Sequence, residues 1–167
     1  MFKINFKTIS LNFVIILVIF LIDRVTKIYI LKIAELQNTV DIYLTSYLNF
    51  YLIWNEGIAF GLLSFDESNL YTVITVLIVI ISIVVLVLII KTNDVRFYFY
   101  LLIFGGALGN LFDRLYYSAV PDFIDVHINN YHWFVFNVAD IFITIGVLCL
   151  ILVELIFNKH LEDEKNN

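Results

Sequence analysis

The chain has 167 residues, of which 62% are hydrophobic and only 15% charged, and its mean hydropathy is +0.94. Soluble domains carry about a quarter charged residues, so ordinary soluble make-up is excluded. The net charge of −5 sits in short loops and an acidic tail (Glu162, Asp163, Glu164) and gives no reason to expect a nucleic-acid partner.

Crossing ~30 Å of hydrocarbon takes about 20 apolar residues, and four stretches reach that length. The first, about 11–33, follows Lys3 and Lys7 as a secretory signal would, but no small-x-small cleavage site comes after it. It runs instead into Asp23-Arg24-Val25-Thr26-Lys27, so it reads as a retained span. Asp23 and Lys27 are four apart with the acid first, the favourable order for a helical ion pair. Residues 34–69 are too long for a mere connector. They contain two β-leaning stretches, 40–44 and 48–54, rich in aromatics that also suit a headgroup-level anchor. A small sheet there would hold a peptide in extended form by backbone pairing. Asn55-Glu56-Gly57-Ile58-Ala59-Phe60-Gly61 follows.

The second span, 70–90, contains no charge, Gly or Pro. The third, 97–117, ends in Phe104-Gly105-Gly106-Ala107-Leu108-Gly109-Asn110 and Asp113-Arg114. Gly105 and Gly109 form a small-xxx-small face that lets span 1 or span 4 approach closely. Asn110, Asp113 and Arg114 lie on an adjoining helical face, with Arg114 pairing with Asp113 or reaching a loop carboxylate. A second outer loop supplies Asp122, Asp125, His127 and His132 before the fourth span, 136–157, which opens Phe136-Asn137-Val138-Ala139-Asp140. Cys149, the single cysteine, excludes a disulfide framework and reads as packing. Glu154 reads as an interfacial side chain near the inner end of span 4.

Lys and Arg set the orientation. With the N-terminus inside, the inner segments 1–10, 91–96 and 158–167 hold Lys3, Lys7, Lys91, Arg96, Lys159 and Lys165, while the outer segments 34–69 and 118–135 hold no Lys or Arg. The expected topology is N-in, C-in. It brings Asp23, Arg24, Lys27, Asn55, Asp113, Arg114, Asp122, Asp125 and Asp140 to one side of the membrane.

Three chemistries are open to such a cluster. His127 and His132 with two carboxylates have the ligand types for Zn²⁺, but HExxH is absent and the spacing fits no structural zinc pattern, so no metal is expected. No G-x-S-x-G is present, and Ser118 has no evident base, which argues against a serine hydrolase. Paired carboxylates remain: in a low dielectric two Asp share one proton, one activating water while the other acts as acid. If Asn137 caps span 4, Asp140 sits at its third residue, where the helix dipole favours the anion by ~0.3–1 kcal/mol. Its partner is Asp122, Asp125 or Asp113; spacing does not choose.

The set Asp23-x-x-x-Lys27, Asn55-x-Gly57-x-Ala59-Phe60, Gly105-Gly106-Ala107-x-Gly109-Asn110-x-x-Asp113-Arg114, Val120-x-Asp122-Phe123 and Phe136-Asn137-x-Ala139-Asp140 resembles lipoprotein signal peptidase (signal peptidase II). The motifs occur in that family's order. The resemblance implies an aspartic endopeptidase of the bacterial cytoplasmic membrane that removes signal peptides from diacylglyceryl-modified prolipoproteins, just before the lipidated Cys. It places the catalytic dyad at Asp122 and Asp140, with Asp23, Lys27, Asn55, Gly57, Asn110, Arg114 and Asn137 as substrate-binding or supporting residues. It implies no cofactor, no metal and no obligate protein partner, only membrane lipids and lipidated substrates, with the active site facing outward. Three departures affect loops: Pro121 stands for an aliphatic residue, Ser118 for a common Gly, and His132-Trp133-Phe134-Val135 lacks a common Pro before Phe136-Asn137.

The expected fold is thus an all-α integral membrane protein, one domain over 1–167, with four transmembrane helices and a small extracytoplasmic β-sheet and short helix in 34–69. Two rivals are a proton-relay transporter, against which stand the lack of repeats and the one-sided polar groups, and a four-span scaffold whose polar residues only cap and anchor.

Overall fold

The computed structural model describes residues 6–57, 67–129 and 131–165, with side chains defined between 12 and 157 apart from 58–70, 130 and 133. Lys3, and the Ala59-Phe60 part of the Asn55 motif, lie outside the described residues. The order is α1 (Phe6–Gln37), β1 (Asp41–Thr45), β2 (Leu48–Asn55), α2 (Glu67–Lys91), α3 (Arg96–Tyr117), β3 (Val120–Ile128), β4 (Tyr131–Phe136) and α4 (Val138–Lys165).

All four expected spans are helical, and α1 and α4 extend beyond the stretches read from the sequence. Residues 136 and 137, expected within span 4, are instead the end of β4 and the residue before α4. Large aliphatic side chains remain exposed on every helix, among them Leu17 on α1, Leu77 and Ile80 on α2, Leu115 on α3 and Leu152 on α4. Soluble monomers rarely expose apolar patches of that extent. Among the described residues, Tyr71–Lys91 and Val138–Phe157 are long and apolar enough to cross a bilayer. The protein has the character of a membrane protein.

The expectation of an all-α fold needs correction. The two anticipated strands form within a residue of their expected bounds, but they are half of a four-stranded antiparallel sheet in the order β1-β2-β3-β4. The other half comes from the second outer loop, which had been read only as a source of polar residues. Its pattern concealed the strands: Asp122 and Asp125 are three apart, which breaks a two-residue alternation, and Pro121 argues against a central strand. The structure accommodates both. Pro121 is the second residue of β3, and β2 carries an extra residue between Phe50 and Ile53 opposite β3. The expected short helix does not occur in the described residues 38–57, and 58–66 lie outside them.

The sheet packs its apolar side on the end of α1, where Ile30, Val40 and Phe123 form a buried cluster with Ile33, Ala34, Phe50 and Leu52 around it. Helix α3 is central and packs against α1, α2 and α4. Its glycines permit this. A Cβ on Gly105 would meet Ile19 of α1 at 3.0 Å, one on Gly106 would lie 2.5 Å from the Ala139 carbonyl of α4, and one on Gly109 would lie 2.6 Å from Asp23 Oδ2. The glycine face expected to admit span 1 or span 4 admits both. Glu154 lies 3.6 Å from Arg96 in an exposed pair, which contributes little.

Candidate active site

The site begins where α4 begins. Asn137 and Asp140 form a capping box: Asn137 Oδ1 accepts the Asp140 N–H at 3.1 Å, and Asp140 Oδ2 accepts the Asn137 N–H at 3.1 Å. Asp23 of α1 accepts the next free amide, Ala139 N–H, at 3.0 Å. Helix ends expose four unpaired N–H groups, and an apolar helix starting here must satisfy them from side chains. The same requirement draws two carboxylates and an amide to one point.

Three asparagines then aim their NH₂ groups at two carboxylates. Asn137 donates to Asp122 Oδ1 at 2.5 Å, Asn55 donates to Asp122 Oδ2 at 2.9 Å, and Asn110 donates to Asp140 Oδ1 at 2.7 Å. In each the carbonyl oxygen is held by another donor, which fixes the direction of the amide. That donor is Asp140 N–H for Asn137, Gly57 N–H at 2.8 Å for Asn55 and Lys27 Nζ at 3.0 Å for Asn110. Gly57 has φ +94°, a conformation open to glycine, and this turn folds the chain back onto Asn55. Every oxygen of Asp122 and Asp140 therefore accepts an N–H donor. Burial pushes Asp122 up to about 6, the Asn137 and Asn55 hydrogen bonds oppose this, and the Asp140 charge adds to it.

Beneath lies a buried ionic cluster. Lys27 is fully buried and spends all three protons, on Asp23 Oδ2 at 2.9 Å, Asn110 Oδ1 at 3.0 Å and Asp113 Oδ2 at 2.6 Å. Arg24 pairs with Asp113 and, at 3.3 Å, with Asp23, and stacks over the Phe112 ring at 4.9 Å. Two cations and two anions cancel. The Asp23–Lys27 pair forms as the helical spacing suggests, whereas Asp113 pairs with Arg24 and Lys27. Asp113 was a candidate only as a partner for Asp140, and Arg24 only as one of the polar residues on that side; charge balance was the signal for their pairing, since Arg24 and Lys27 against Asp23 alone would leave a buried positive charge. Arg114, nearly buried, acts electrostatically on both Asp122 and Asp140, and its backbone carbonyl accepts the Tyr71 hydroxyl of α2.

All nine expected residues thus belong to one connected constellation. Asp125 does not. It is three residues from Asp122 on β3, so the two project from opposite faces of the strand, and its partners are histidines.

The family model for signal peptidase (SPase) II matches residues 15–157. The chain belongs to the signal peptidase II family. It is 60% identical to the lipoprotein signal peptidase of Pelagibacter ubique (strain HTCC1062) over 98% of this chain and 99% of that one. It is 40% identical to that of Anaplasma phagocytophilum (strain HZ) over 83% and 87%. A bacterial membrane enzyme solved by the in meso method at 1.9 Å resolution superposes with a TM-score of 0.67 at 29% identity, covering 88% of this chain and 94% of that one. Signal peptidase II enzymes are proteases of lipoprotein processing embedded in the bacterial inner membrane, and membership assigns that class here. Within the matched residues, Asn137 and Asp140 form the capped start of α4, and Asp122 is the third residue of β3, the strand that follows α3.

Proposed function

We propose that this signal peptidase is an aspartic endopeptidase in which Asp122 and Asp140 share one proton and activate water to cut diacylglyceryl-modified prolipoproteins before the lipidated Cys. One observation carries the reading: two carboxylates meet at a buried helix start with every oxygen oriented by an amide donor. The ionised carboxylate takes a proton from water, whose oxygen attacks the scissile carbonyl carbon, while the protonated carboxyl gives its proton to the carbonyl oxygen. The resulting diol returns a hydroxyl proton to the second carboxylate as the first delivers its proton to the leaving nitrogen. Both carboxyls end in the protonation states in which they began, ready for the next turnover. The steps use no metal or cofactor.

The same proposal takes α1 to α4 as four membrane crossings, N-in and C-in, with the sheet and the carboxylates at the outer face. The absence of Lys and Arg from 34–69 and 118–135 supports this. A lipidated substrate then enters laterally at the depth of its own acyl chains. Strand β4 is an edge of the sheet and leads directly into Asn137, so its free backbone row is available to an extended signal peptide.

The test uses detergent-purified protein and a lipidated precursor peptide. Asp122→Asn and Asp140→Asn lose processing almost completely while melting as folded proteins, and Asp125→Asn retains processing well above both. Full activity in either of the first two would sink the dyad. A scaffold would tolerate all three.

A further inference from the structure

A second polar constellation lies in the sheet, apart from the two carboxylates. Asp125 and His127 are two apart on β3 and share a face, and His132 of β4 is the direct cross-strand partner of His127. One ligand atom from each of the three lies within 4.8 Å of the others. Asp125 is fully buried, with Oδ2 2.8 Å from His132 Nδ1 and 3.4 Å from His127 Nδ1. Among the described residues its other oxygen, Oδ1, has no hydrogen-bond partner, and neither has Nδ1 of His127, whose side chain is 8% exposed. Asn49, paired with Asp125 from β2, adds a third buried acceptor without a partner, its Oδ1.

A buried polar atom left unpaired costs ~1–3 kcal/mol, and native structures keep few of them. Here three occur together among the described residues: a carboxylate oxygen and an amide oxygen, which only accept, and an imidazole nitrogen, which offers a lone pair in one of its two tautomers. A cation satisfies such a set where a protein donor does not. The cluster borders a cavity of about 430 Å³ whose lining includes Asp41, Asn49, Tyr51, Asp125 and His132, with no Lys or Arg. The cavity leaves room for an open coordination position, and His132, its side chain 57% exposed, stands at the entrance.

We propose that Asp125, His127 and His132 form a site for a divalent transition-metal ion, of which Zn²⁺ suits two imidazoles and one carboxylate best. Zinc takes His nitrogen at ~2.0–2.1 Å and Asp oxygen at ~2.0–2.2 Å, commonly with three protein ligands and a water. The ion clips β3 to β4 across the hairpin whose two ends hold Asp122 and Asn137. It belongs to the sheet and takes no part in peptide hydrolysis. Linear spacing hid it, because only the cross-strand pairing brings His127 and His132 together.

The test takes full-length protein in detergent, without a polyhistidine tag, stripped with EDTA and dialysed. Added Zn²⁺ should be retained through gel filtration at about one ion per chain and should raise the melting temperature, and Co²⁺ should give visible d–d bands that Zn²⁺ displaces. His132→Ala, at an exposed position and with folding checked by its melt, should weaken binding by more than the ~10–100-fold that losing an outer-shell partner costs. His127→Ala combined with His132→Ala should abolish it, while Asp140→Asn should bind as wild type does. Equal zinc retention by wild type and the His127/His132 double variant would overturn the proposal. So would loss of the ion in Asp140→Asn, which would place it between the two site aspartates.

Discussion

Asn137 and Asp140 cap each other's backbone, each side chain accepting the other's N–H at 3.1 Å, and the spare NH₂ of Asn137 reaches Asp122 at 2.5 Å. One residue therefore starts α4 and spans both carboxylates. The two roles separate by mutation. Asn137→Ser keeps a cap of comparable quality but cannot reach Asp122, so melting should hold within ~0.5 kcal/mol while processing falls on the order of tenfold or more. Asn137→Ala should lose the same activity and also ~1 kcal/mol of stability. Thermal melts and single-turnover cleavage on both variants check this, and equal stability in the two would refute the capping role.

Lys27 should be the costliest single change in the buried cluster. Replacing it by Met leaves Asp113 and Asp23 short of a cation in a site closed to water, and breaking a buried pair costs ~3–5 kcal/mol. It also frees the Asn110 carbonyl, so the amide no longer points at Asp140. Lys27→Met combined with Asp113→Asn restores neutrality with Asp23 and Arg24. The double variant should therefore be destabilised by less than the sum of the singles. Additive losses in melting would show that the charges do not act as a unit.

Ser118 explains how this chain tolerates the replacement of a common glycine. It ends α3 in the left-handed region, φ +59°, with its N–H on the Arg114 carbonyl at 3.1 Å. That conformation costs an L-residue on the order of 1 kcal/mol, and glycine adopts it freely. Ser118→Gly should raise stability by about 0.5–1 kcal/mol with processing unchanged, read as a higher melting temperature. A lower one would mean that the Ser side chain itself supports the turn into β3.

What the sequence conveyed follows from the range of each interaction. The Asn137–Asp140 cap and the Asp23–Lys27 pair are three and four residues apart on a helix, and both were legible. So were β1 and β2, as short aromatic-rich runs within 34–69. Strands β3 and β4 were not, because β3 places Asp122 and Asp125 on opposite faces and its partners absorb the shift with extra residues. The Lys27–Asn110 and Lys27–Asp113 contacts span 83 and 86 positions, and only the packing of α1 on α3 reveals them. Asp113 was visible as a polar residue within an apolar span; its charge partner was not. Orientation from Lys and Arg grouped the polar residues on one side, yet it could not distinguish Asp125, which turned out to face the histidines.

Asp122 carries a testable linkage between pH and stability. Burial raises its carboxyl from 3.8 to about 6 in the folded protein, against ~3.9 when unfolded. Between those values the folded chain holds a proton that the unfolded chain has released, so stability falls as pH rises through that window and is flat above about 6. The whole effect amounts to at most ~3 kcal/mol, at 1.36 kcal/mol per pKa unit. Asp122→Asn has no proton to lose there. Its melting temperature relative to wild type should therefore climb between about pH 4 and pH 6 and then level, whatever offset the new amide introduces against the Asn55 and Asn137 donors. Asp94→Asn, altering an exposed carboxylate that Arg96 holds below its ordinary range, supplies the control and should show no change in that window. Parallel curves for wild type and Asp122→Asn would mean that Asp122 ionises at its ordinary pH, and the shared proton would then lack its physical basis.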